Sequence, residues 1–295
     1  MDVFVRFINS FLMIGMPIAL GIYLHRRYRL GWSLFFAGAA TFVGAQIFHI
    51  PFNYFVLQPF AEEKGLLGAE GGLELLLMGL LFGLSAGLFE EVARYLVYRR
   101  WLKNVRRWDE AVMYGTGHGG AEAVIFGAAV LLGLFELIAY RDVDLAALVP
   151  AERVEIAQLQ VEMFWSAPWY DAMLGAVERV FAIMIQISLA VIVLQAVVRR
   201  NILWLVAAIT WHTLVDAIAV IALRISGEYA AEALVAIMAL LSLGILFFLK
   251  PKGGEVVEDE PLTPSPVPLA AKDFGEVQVE ISEDKLTNSQ YCDGV

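Results

Sequence analysis

Three short stretches carry side chains that can move protons or hold a metal, and each lies inside an apolar run. LFEEVARY supplies Glu90, Glu91 and Arg94, GTGHGGAEA supplies His118 and Glu122, and ITWHTLVDA supplies His212 and Asp216. Glu90 and Arg94, His118 and Glu122, and His212 and Asp216 are each four residues apart, and Glu91 and Arg94 are three apart, so each set shares one helical face. A carboxylate one turn from a histidine can fix its tautomer and raise its basicity, which serves general acid–base catalysis and metal binding alike. Arg94 can hold one glutamate ionised and leave its neighbour free to take up a proton.

The elements that must position these groups are membrane spans. The chain has 295 residues, 59% of them hydrophobic, with a mean hydropathy of +0.68, too apolar for an ordinary water-soluble domain. Runs of about 20 apolar residues, the length that crosses a bilayer core, recur at 3–24, 31–51, 72–97, 110–138, 169–197, 202–223 and 230–249. The expected fold is all-α, a polytopic bundle of seven transmembrane helices over 1–250 in a cell membrane. Asp2, the single early Arg6 and the lack of a small-residue cleavage pattern mark the first run as a retained span, not a secretory signal.

Lys and Arg set the expected orientation. Clusters at Arg26–Arg29, Arg99–Arg107, Arg199–Arg200 and Lys250–Lys252 follow the first, third, fifth and seventh spans, all on one side. The opposite loops hold only Lys64, Arg141, Arg153 and Arg224, with Arg6 at the terminus. The chain is therefore expected to run N-outside and C-inside. The net charge of −10 belongs mostly to 251–295, with ten acids against three lysines, a Pro-rich acidic stretch expected to be a disordered cytoplasmic tail. Within the loop after the fourth span, 151–164 alternates apolar and charged residues as an interfacial helix does. Cys292 is the one cysteine, so no intramolecular disulfide forms.

The three reactive sets share a depth. At about 1.5 Å per residue, Glu90 lies roughly 13 Å in from Arg99, His118 roughly 16 Å from Arg107 and His212 roughly 18 Å from Arg200. That layer is near the midplane of a core about 30 Å thick. Ionisable residues at such a depth are costly and face the bundle interior, which makes them functional candidates. Plainer readings stand beside this. Glu90 and Glu91 with Arg94 could be a structural ion pair, with Arg94 snorkelling toward the neighbouring arginines, and His118 or His212 could be an interhelical hydrogen-bonder. The glycines at 115, 117, 119 and 120 let a substrate or another backbone come close to His118. His49, beside Pro51 and Asn53, reads as interfacial, Glu178 and Arg179 as a pair near the outer end of the fifth span, and Gln186 as a hydrogen-bonder to the site or to a neighbouring helix.

EEVAR, GTGHGGAEA and HTLVD, in this order on separate spans, together with AVERVFAIMIQISLAVIV on the fifth, make the chain resemble the YhfC family of intramembrane proteases, relatives of the CAAX prenyl proteases and of bacteriocin-processing enzymes. The resemblance runs from the third span to the sixth. It implies a hydrolase with Glu90 as the base that activates water, Glu91 and Arg94 orienting it, and His118 and His212 stabilising the oxyanion, with Asp216 where the CAAX enzymes tend to have asparagine. Two departures bear on roles: two residues, not three, separate the glutamate pair from Arg94, and Gln186 stands where YhfC-like sequences often have histidine.

The leading expectation is thus an intramembrane endopeptidase acting on a membrane-associated protein or peptide, embedded in the lipid bilayer and without a nucleic-acid partner. A glutamate-type mechanism needs no cofactor. The alternative is zinc held by His118, His212 and a carboxylate, although no HExxH motif supports it. Two other classes remain open: a metal- or haem-binding transport protein, and a non-catalytic scaffold whose acidic tail recruits a cytoplasmic partner. Deleting 253–295 separates the last from the first: a scaffold loses function with the tail, while a peptidase loses it with Glu90→Gln.

Overall fold

The computed structural model describes residues 2–141 and 143–251, and the expected disordered tail lies outside them. The described chain is helical: α1 (Asp2–Tyr28), α2 (Trp32–Phe52), α3 (Gln58–Glu63), α4 (Gly72–Arg100), α5 (Trp108–Tyr140), α6 (Val154–Ser166), α7 (Leu174–Val198), α8 (Leu203–Ser226) and α9 (Glu228–Phe248). Among the described residues, seven helices have the length and apolarity to cross a membrane. They match the seven apolar runs, with one notable extension. The second run does not stop at Pro51: α2 passes through a π-helical turn, Asn53–Leu57, directly into α3, which makes one span of Trp32–Glu63. Such π turns are rare and recur at functional sites. The interfacial helix expected at 151–164 is present as α6, and none of its residues is buried.

α7 is the central helix. It packs against α1, α4, α5, α8 and α9, and its second half, from Ile185 to Ala196, is buried without interruption. A helix that is apolar all round belongs at such a position. α4 packs mainly on α8, and α5 on α1, α2 and α7. The three chemistry-bearing helices α4, α5 and α8 therefore meet around α7.

Close approach in lipid is achieved with small residues, because packing replaces the hydrophobic drive between helices. A Cβ on Gly117 of α5 would lie 1.9 Å from the Phe35 carbonyl oxygen of α2, and one on Gly38 of α2 would lie 2.0 Å from the Tyr114 carbonyl oxygen of α5. The two backbones are in direct contact at this crossing. The glycines around His118 thus accommodate neighbouring helices: Gly115 and Gly119 face α7, Gly117 faces α2 and Gly120 faces Pro17 of α1.

Gly117→Ala is expected to destabilise the bundle by at least about 1–3 kcal/mol, the usual cost of overpacking. Gly15→Ala, where nothing lies within 4 Å of the added carbon, is expected to leave stability near wild type. Thermal unfolding in detergent checks both.

Candidate active site

All three sets of reactive side chains converge, on α4, α5 and α8. Their centre is Arg94, whose side chain is fully buried along with that of Glu91, while Glu90 is 7% exposed. Arg94 does not snorkel to the surface. Its Nη1 donates to both oxygens of Glu91 at 3.0 Å, and its Nη2 donates to Glu90 Oε2 at 3.5 Å and to Gln186 Oε1. Its Nε donates to His118 Nδ1 at 3.4 Å. One guanidinium thereby ties α4 to α5 and α7.

The histidines take partners across helices. Because His118 Nδ1 faces the Arg94 donor, its proton belongs on Nε2, which donates to Glu90 Oε2 at 3.0 Å. The edge of its ring packs against Phe42 of α2, with centroids 5.3 Å apart. His212 Nδ1 lies 2.7 Å from Glu91 Oε1. An ionised carboxylate only accepts, so Nδ1 is the donor, and Nε2 takes no part in this bond. Asp216 Oδ2 stands 3.6 Å from that Nε2, too far for a hydrogen bond, and the Asp216 side chain is 37% exposed.

The partner expected for His118 one turn along its own helix is engaged elsewhere. Glu122 accepts from Arg179 Nη1 at 2.8 Å and from Gln186 Nε2 at 3.0 Å, and Gln186 Nε2 also reaches Glu90 Oε2 at 3.3 Å. Arg179 pairs in turn with Glu178, which is 35% exposed. A ladder of Glu90, Gln186, Glu122, Arg179 and Glu178 thus leads from the buried centre to a partly exposed end. The adjacent pair Glu178 and Arg179 does form, as its proximity in sequence implies, but Arg179 also reaches into the site.

Two residues change standing. His49 is buried, not interfacial: its ring stacks on Phe89 and its nitrogens meet Gln46 and Asn53. Gln46 Nε2 donates to Glu90 Oε1 at 3.0 Å. Gln46 escapes a search for charged groups and histidines because an amide is neutral. The signal that could mark it is its spacing, three residues before His49 and seven before Asn53, which puts all three on one face of α2.

An apolar groove of about 900 Å³ runs beside this centre between α2 and α4, lined by residues such as Ala37, Gly44, Phe48, Phe89, Ala93 and Trp101. For a metal, Glu90, Glu91 and His212 each offer a ligand atom within 4.8 Å of the others, and all three are buried. Carboxylate oxygens and imidazole nitrogens are donor types that bind zinc.

The family model described as YhfC intramembrane metalloprotease matches residues 12–239. The chain belongs to the YhfC family. A relative, the uncharacterized membrane protein YhfC of Bacillus subtilis (strain 168), is 32% identical over 249 residues, covering 80% of this chain and 91% of that protein. No solved structure matches. As a YhfC family member with seven apolar helices, the chain is a multi-pass membrane protein. The family description is that of a protease and includes a metal, which points away from the metal-free glutamate mechanism that the sequence favours.

Arg94→Met, which strands Glu91 in the interior, is expected to cost about 3–5 kcal/mol of stability, as breaking a buried ion pair does. Adding Glu91→Leu to it should recover at least half of that loss. Thermal unfolding of the single and double variants in detergent measures the coupling.

Proposed function

We propose that this YhfC family protein is an intramembrane endopeptidase in which Glu90 serves the attacking water. The observation that carries this reading is the convergence on Glu90: His118 and Gln186 meet its Oε2, Gln46 meets its Oε1, and Arg94 lies alongside. Peptide hydrolysis needs a base for water and donors for the oxyanion. Glu90 is the base. His118, whose proton sits on Nε2, faces the same carboxylate oxygen and can donate to an oxyanion formed beside it. His212, held by Glu91 through Nδ1, offers Nε2 to the reacting groups. Glu91 and Arg94 hold the two faces of the site in register.

The substrate is a membrane-associated protein or peptide that reaches Glu90 along the apolar groove between α2 and α4, where its own apolar side chains replace lipid. Water arrives by the other route, along the polar ladder through Gln186, Glu122 and Arg179. This separation of apolar and polar access is the arrangement that hydrolysis inside a bilayer requires.

A divalent cation at this site would be held by Glu90, Glu91 and His212, and when bound would supply Lewis-acid polarisation of the carbonyl and a more acidic water. The family description supports that course. One observation favours the metal-free course: Arg94 Nη1 already occupies both oxygens of Glu91, which places a fixed positive charge where a cation would sit.

The expected result with the full chain in phospholipid vesicles is cleavage of fluorescein-labelled casein that falls about 10²- to 10⁴-fold in Glu90→Gln, the range for losing a general base. Cleavage equal in wild type and Glu90→Gln overturns the reading. Metal analysis of the purified protein, with cleavage measured before and after chelation, separates the two courses. Stoichiometric zinc and loss on chelation mark the metal-dependent one, and metal-free activity marks the other.

A further inference from the structure

Four side chains outside the predicted catalytic set form one continuous chain of hydrogen bonds ending on Glu90. Ser85 Oγ of α4 donates to Asn53 Oδ1 at 2.8 Å, and Asn53 Nδ2 meets His49 Nε2 at 2.9 Å. His49 Nδ1 meets Gln46 Oε1 at 3.1 Å, and Gln46 Nε2 donates to Glu90 Oε1 at 3.0 Å. The direction of the chain is set by its end. A carboxylate accepts only, so Gln46 must present its amide nitrogen to Glu90 and its oxygen to His49. His49 then carries its proton on Nδ1, its Nε2 accepts from the Asn53 amide, and the Asn53 oxygen is left for the Ser85 hydroxyl. Every donor points toward Glu90, and no group in the chain is asked to do two things at once.

The fold isolates this chain from the rest of the polar centre. Gln46, His49 and Asn53 lie on one face of α2, and Asn53 opens the π-helical turn that follows it. His49 is buried and is stacked on Phe89, the neighbour of Glu90, with centroids 5.4 Å apart at 28°. The chain engages Glu90 Oε1, whereas His118, Gln186 and Arg94 engage Oε2. Each oxygen of Glu90 is therefore governed from a different side of the bundle.

We infer that Gln46, His49, Asn53 and Ser85 are positioning residues for the reaction, a relay that clamps Glu90 Oε1 from α2 and thereby fixes the orientation of the carboxylate beside His118. Gln46 acts directly on Glu90. His49 acts through Gln46 by locking its amide orientation, and Asn53 and Ser85 act through His49 by locking its tautomer. The inference rests on Glu90 being the group that serves water.

The test exploits the lengths of two amides. At position 49 an asparagine places its nitrogen where imidazole Nδ1 stands and can still donate to Gln46, whereas a glutamine reaches the Nε2 position and cannot. With casein cleavage in vesicles, Gln46→Leu and His49→Gln are expected to lower kcat about tenfold or more with KM within about twofold, and His49→Asn to stay within about threefold of wild type. Gln46→Leu combined with His49→Gln should be no worse than Gln46→Leu alone, because one residue acts through the other. A second measurement does not depend on cleavage. Dicyclohexylcarbodiimide is an apolar electrophile whose central carbon is attacked by a carboxyl oxygen while a nitrogen takes up the carboxyl proton, and it should modify Glu90 at least about threefold faster once the hydrogen bond at Oε1 is lost, in Gln46→Leu and His49→Gln but not in His49→Asn. Mass spectrometry of the modified peptide reads this order. Equal modification across all variants, or loss confined to KM, overturns the relay. The modification order without any casein cleavage overturns the peptidase reading and leaves the relay standing.

Discussion

Arg94 is the constraint on which the rest of the centre depends. A guanidinium that is fully buried in a membrane protein has no water to turn to, so each of its donors must find a partner in the protein. Here they find Glu91, Glu90, Gln186 and His118. Those partners come from α4, α5 and α7, and His212 of α8 joins through Glu91. Satisfying one cation thus fixes the relative rotation of four helices. It also dictates proton positions: the donor at His118 Nδ1 sends that ring's proton to Nε2, and the accepting Glu91 draws the His212 proton to Nδ1. Roles that differ between two histidines follow from which face each turns to the same ion pair.

Such a network forms only if the helices come close enough for short side chains to meet. The crossing of α2 and α5 puts backbone against backbone at Gly38 and Gly117, which brings Phe42 onto the His118 ring and carries the α2 face bearing Gln46 up to Glu90. Small residues therefore serve the chemistry indirectly. They spend helix propensity to shorten interhelical distances, and the shortened distances let hydrogen bonds replace the missing solvent.

The surroundings of Glu90 are asymmetric in polarity. Between α2 and α4 runs an apolar groove whose walls carry small and aromatic residues, with one uncharged hydrogen-bonded chain from Ser85 to Gln46 reaching Glu90, while the α5/α7 side is a ladder of amides and ions ending at the partly exposed Glu178. A peptide segment and a water molecule have opposite solvation needs, and a site between two such environments can receive both without opening the bundle to bulk solvent.

The helical membrane class and the number of spans could be read directly from the chain, because spans are written in local apolar runs, and the intramembrane charges that stand out against them are the ones that meet at Arg94. It also held the family resemblance in EEVAR, GTGHGGAEA and HTLVD. Which of these groups pair with one another depends on how the helices pack. Spacing of four along a helix pairs His118 with Glu122 and His212 with Asp216, yet His118 bonds Glu90 and His212 bonds Glu91, since residues on facing helices can be nearer than residues one turn apart. The burial of His49 and the part played by Gln46 were illegible for the same reason. A neutral amide on a lipid-crossing helix has no distinctive local signature, and its meaning depends on which carboxylate the packing of α2 against α4 and α5 brings within 3.0 Å.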